Sequence, residues 1–80
     1  MPKLRSLSAN EILKFLQKQG FEIDRQRGSH VVVIRNLSNA RQVLTIPNHK
    51  DIDIGTLKGI FNQSKRFVNE EELRNYFYTN

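Results

Sequence analysis

The 80-residue chain is 38% hydrophobic and carries 13 Lys and Arg against 8 Asp and Glu, a formal charge of +5. That apolar share is enough for one small packed domain and excludes global disorder, while no apolar run approaches the roughly 20 residues a membrane span needs. With no cysteine, disulfides and thiolate metal sites are excluded, and with no apolar signal segment in residues 1–10 a cytoplasmic location is expected.

The elements read clearly in chain order. Residues 8–19 form a helix: Ser8 is a natural N-cap, Glu11 stands at capping-box spacing, and Leu7 with Ile12 supplies a hydrophobic staple. Ile12, Leu13, Phe15 and Leu16 make its apolar stripe, and Gly20 sits where a left-handed C-terminal residue is wanted. Residues 21–27 alternate as a strand, with Phe21 and Ile23 expected on the same face as Arg25 and Arg27, and Glu22 and Asp24 on the other. Gly28-Ser29 fits a two-residue type II′ hairpin turn. Residues 30–36 are rich in β-branched side chains and give a second strand; residues 41–46 give a third, stopped by Pro47. A second helix is expected from about Asp53 with Ile54, Leu57, Ile60 and Phe61 buried. A third is capped by Asn69, with Val68 and Leu73 as its staple.

The order α-β-β-β-α-α predicts an α+β fold of one domain over residues 1–80. Its three-stranded antiparallel sheet has helices on one face, and the other face is left for solvent or a partner. Val31 to Ile34 are apolar on both faces, so cover over the centre of that strand is expected, from a long side chain or a bound protein.

Charge and chemistry point to a polyanion. Residues 1–50 hold nine basic residues against three acidic ones, whereas residues 51–80 hold four against five. A basic face of this kind attracts nucleic acid. The two histidines, His30 and His49, stand 19 positions apart with no carboxylate cluster. That is poor spacing for a metal site, and no cofactor is expected. Histidine, with an unperturbed pKa of about 6.5, is instead suited to proton transfer near neutrality. Read on its own, His30 is a turn histidine bonded to its own loop.

The wider pattern changes that reading. Gly20-Phe21, then Arg25 through Gly28-Ser29-His30, then Thr45-Ile46-Pro47 with His49, then Gly55-Thr56-Leu57 followed by Ile60 and Gln63, occur in one order across nearly the whole chain. In this the chain resembles the HicA toxins, or YcfA-like proteins, which are small bacterial mRNA interferases. Gly59 and Phe61 depart from the bulkier or more aliphatic residues expected in that helix. The resemblance implies a fold similar to a double-stranded-RNA-binding domain, cleavage of mRNA by the histidine of Gly-Ser-His, here His30, and neutralisation by a HicB-type antitoxin.

The chemistry this requires is simple. RNA carries its own nucleophile in the 2′-hydroxyl. A base must take that proton, an acid must serve the departing 5′-oxygen, and positive charge must stabilise the transition state. His30 is the candidate for proton transfer. Arg25 and Arg27 are expected to hold phosphate, and Gly28 and Ser29 to let backbone amides approach it. His49 is an acid, a phosphate contact or a loop-fixing hydrogen-bond donor, the last favoured from its position. Lys50, Thr56 and Lys58 lie around the start of the second helix, where free N–H groups favour anions. Two readings compete with an endoribonuclease: a non-catalytic RNA-binding module of the same fold, and an interaction protein that docks a partner chain.

Overall fold

The computed structural model describes residues 2–79; Met1 and Asn80, included in the expected domain, lie outside the described residues. Its elements are β1 (Lys3–Leu4), α1 (Ala9–Lys18), β2 (Glu22–Arg27), β3 (His30–Asn36), β4 (Arg41–Pro47), α2 (Ile54–Ser64), α3 (Glu70–Phe77) and β5 (Tyr78–Thr79). Strands β2-β3-β4 form an antiparallel sheet in sequence order, and with the helices they make the expected α+β arrangement, similar to a double-stranded-RNA-binding domain. The short strands β1 and β5 were not expected. They pair Lys3 with Thr79 and Leu4 with Tyr78 and tie the two ends of the chain together. Two-residue strands carry no periodicity to read.

Local chemistry sets the helix starts. The Glu11 N–H donates to Ser8 Oγ at 3.2 Å, and the Ser8 N–H donates back to Glu11 Oε1 at 3.0 Å, so the capping box is complete. Asn69 Oδ1 accepts from the N–H groups of Glu71 and Glu72 at the start of α3. At the other end of α1, Gly20 has φ of 99°. It lies against Arg35, whose Cδ would sit 3.2 Å from a methyl group placed there.

Alternation fails in β2. A bulge between Ile23 and Arg25 shifts the register, so that Ile23 opposes Val33 whereas Arg25 opposes Val32 and Arg27 opposes His30. One extra residue moves everything beyond it to the other face. Ile23 is therefore on the helix side, and Arg25 and Arg27 share the open side with Glu22, contrary to the expected grouping.

The core lies on one side of the sheet. Val31, Val33, Leu44 and Ile46 pack with Ile12, Leu16, Phe21, Leu57, Leu73 and Phe77. Val32 is buried but stands outside that cluster, on the open face. Its cross-strand neighbours are Arg25 and Thr45, so the expected cover is supplied within the sheet. In α2, Leu57, Ile60 and Phe61 are buried as expected, but Ile54 is 62% exposed and Ser64 takes the remaining inward position. Ile54 is the first residue after the cap, before the helix reaches the core.

Candidate functional site

A groove of about 590 Å³ opens where the sheet meets α2. Its sheet wall is His30, Thr45 and Pro47; His49 stands at the loop between; its helix wall is Thr56, Gly59, Ile60 and Gln63. The helical residues are spaced i, i+3, i+4, i+7, which places them on one face of α2.

His30 is the first residue of β3, directly after the hairpin. Gly28 has φ of 57°, a conformation L side chains rarely adopt, and no other residue type shows a positive φ among the described residues. That glycine closes the turn tightly and sets Arg27 opposite His30. Facing residues of such a pair hold their Cβ atoms about 5 Å apart.

Backbone bonds hold the His49 loop in place. The Asn48 N–H donates to Ser29 O at 2.6 Å, continuing the β3–β4 ladder past Pro47. The His49 N–H donates to Pro47 O at 2.9 Å, and His49 O accepts from the Ala9 N–H at 2.9 Å, at the first turn of α1. The Ile52 N–H donates to Leu7 O, and Ile52 is buried. The loop-fixing role expected of the His49 imidazole therefore belongs to its main chain. Among the described residues neither imidazole takes part in a hydrogen bond or ion pair, which also removes the reading of His30 as a histidine bonded to its own turn.

At the start of α2, Asp53 Oδ1 accepts from the Thr56 hydroxyl at 2.7 Å and Oδ2 from the Thr56 N–H at 3.1 Å. The hydroxyl, followed by the N–H, holds the Asp53 carboxyl below its ordinary value. Asp53 thus caps this helix end and holds both polar groups of Thr56, which also lines the groove. Lys58 is two residues beyond Thr56, off the groove face of the helix.

The other expected contacts surround the groove without lining it. Arg25 pairs with Asp24 at 2.5 Å, and Arg41 lies 3.9 Å from the same carboxylate. Such exposed pairs are weak and exchangeable. Arg27 has no ion pair among the described residues. Gly28 and Ser29 form the turn itself, and Lys50 directly follows His49. Thr45, Pro47, Gly59, Ile60 and Gln63 line the groove but were not named as site residues. On the helix the signal was the Thr56-Gly59-Gln63 spacing, a stripe of small and polar residues on a helix whose other side is largely apolar.

The family model described as "HicA toxin of bacterial toxin-antitoxin" matches residues 9–65, from the start of α1 to the end of α2. The chain belongs to the HicA toxin family. No curated protein and no solved structure matches it. The matched region of this HicA chain includes every residue that lines the groove, whereas α3 and β5 lie beyond it. Membership makes the HicA chain a toxin of a toxin–antitoxin system, with an antitoxin as its partner. No helix among its described residues is long and apolar enough to cross a membrane.

Proposed function

We propose that this toxin is an endoribonuclease that cleaves mRNA, with His30 as the base that takes the proton of the 2′-hydroxyl. The observation that carries the reading is the state of His30. It is an exposed residue of the groove lining, its imidazole uncommitted among the described residues, with Arg27 opposite on the same face of the sheet. Arg27, and Arg25 once released from Asp24, bind the scissile phosphate and stabilise the charge that builds on it. Gly28 and Ser29 allow the sugar–phosphate backbone to approach the turn closely. The attack forms a 2′,3′-cyclic phosphate and needs no metal ion, because the nucleophile is part of the substrate. A proton-transfer group of this kind contributes roughly 10²–10⁴-fold in rate. A HicB-type antitoxin silences the toxin by covering His30 and the basic side of the hairpin, since a domain this small has no lid over its site.

The test is to induce wild type and His30→Ala in cells and to follow growth and RNA integrity. Wild type is expected to stop growth and fragment mRNA while the variant does neither. RNA left intact by both contradicts the nuclease reading. Equal RNA binding without cleavage by either then favours an RNA-binding module.

A further inference from the structure

We infer that His49 is the general acid of the cleavage, giving its proton to the departing 5′-oxygen. The inference rests on the ribonuclease reading and assigns the half of the reaction that His30 leaves open. The groove brings His49 to the same open space as His30 from a different element of the fold.

Three features make it an acid rather than a scaffold residue. The loop is already fixed by the main chain of residues 48, 49 and 52, so the imidazole is not needed to hold it. That imidazole is exposed and makes no hydrogen bond among the described residues. The two histidines also lie close to one another. His30 opposes Pro47 across the ladder, at a Cα separation of about 5 Å. The bond from the His49 N–H back to Pro47 O closes a three-residue turn about Asn48. The two histidine Cα atoms therefore lie within about 12 Å, since two residues span at most about 7 Å. Two side chains of this length lining one groove are within reach of a single phosphate. The charged neighbours are Arg27 opposite His30, Lys50 and Asp51 beside His49, Asp53 as the N-cap of α2 and Lys58 in its second turn.

The step balances without any further reactant. Neutral His30 takes the 2′-hydroxyl proton, and O2′ forms a bond to phosphorus. The P–O5′ bond breaks as protonated His49 transfers its proton to O5′. The products are a 2′,3′-cyclic phosphate and a 5′-hydroxyl, with His30 protonated and His49 neutral. Exchange with water resets both.

The leaving group separates the two roles. A site cut by wild type is mapped on a transcript and prepared as a short RNA, once natural and once with sulfur in place of the scissile 5′-oxygen. Thiolate departs without a proton. His49→Ala is expected to cut the natural RNA 10²–10⁴-fold more slowly and to approach the wild-type rate on the sulfur substrate. His30→Ala stays slow on both. Equal losses by His49→Ala on both substrates, or no loss on either, overturn the assignment, as does rescue of His30→Ala in its place. Failure of wild type to cut any RNA removes the ribonuclease reading and this assignment together. His49→Gln and the thermal unfolding midpoints of all variants separate loss of the acid from loss of fold, and unchanged midpoints are expected.

Discussion

Arg35 is the residue on which the loop ends converge. Its Nη1 donates to Gln19 O at 2.7 Å, its Nη2 to Phe67 O, and its Nε to Gln42 Oε1 at 2.7 Å, while the guanidinium carbon lies 4.8 Å from the centre of the Phe21 ring. One planar cation thus closes the end of α1, the α2–α3 turn and β4. Hydrogen bonds from a charged group are each worth about 1.5–3 kcal/mol, and water replaces part of that at a half-buried site. Arg35→Ala is expected to cost about 2 kcal/mol, read as a fall of roughly 10 °C in the unfolding midpoint. Ser64 is the opposite case. It is fully buried and its hydroxyl has no hydrogen-bond partner among the described residues. Ser64→Ala is expected to leave stability unchanged or raise it by about 1 kcal/mol, since an unmade buried hydrogen bond is lost with the hydroxyl; denaturant unfolding measures it. At this scale the sequence singled out His30 through the family pattern around Gly28-Ser29-His30, since chemistry alone read it as a turn histidine. It gave no sign of Arg35, because two of its three partners are main-chain carbonyls contributed by residues 16 and 32 positions away.

Caps and glycines decide the elements. The helix starts were legible because a capping residue and its partner lie within four positions: Ser8 with Glu11, and Asn69 as the cap of α3, stand as read. The β2 bulge was not legible, because Ile23-Asp24-Arg25 alternates as any strand does and only pairing with β3 reveals the extra residue. The groove face of α2 was missed for a related reason, since a helix pattern separates apolar from polar sides without saying which polar side meets another element. Within α2 the two glycines differ. A methyl at Gly59 would meet nothing within 4 Å, whereas one at Gly55 would lie 3.3 Å from Asp53 Oδ2. Gly59→Ala is expected to raise stability by about 1 kcal/mol in urea unfolding, and Gly55→Ala to gain less. The lowered carboxyl of Asp53 fixes the sign of a pH effect. Its cap is fully present above the ordinary value of 3.8 and is lost as pH falls through the lower folded value. The difference in unfolding midpoint between wild type and Asp53→Asn is therefore expected to be constant near neutrality and to shrink below pH 3.8. A difference that widens on acidification contradicts the cap.

Over the whole molecule, charge is unevenly divided. Three of the eight acidic residues, Glu70, Glu71 and Glu72, stand in the first turn of α3, where they favour the helix N-terminus. The open side of the hairpin presents Arg25, Arg27 and His30. RNA binding through phosphate contacts is expected to weaken steeply between 50 and 200 mM salt, measured by fluorescence anisotropy with an RNA oligonucleotide; affinity indifferent to salt contradicts the placement of RNA on this side. The fold class followed from the order of elements, but the clasp of β1 with β5 rests on a pairing between opposite ends of the chain that no local pattern records. The most direct measurement of the central claim is cleavage of RNA by purified wild type and His30→Ala in the presence of a chelator. Wild type is expected to leave 2′,3′-cyclic phosphate ends, and the variant to keep its fold and RNA affinity while cutting at least 10²-fold more slowly. Cleavage by the variant at the wild-type rate would contradict the account.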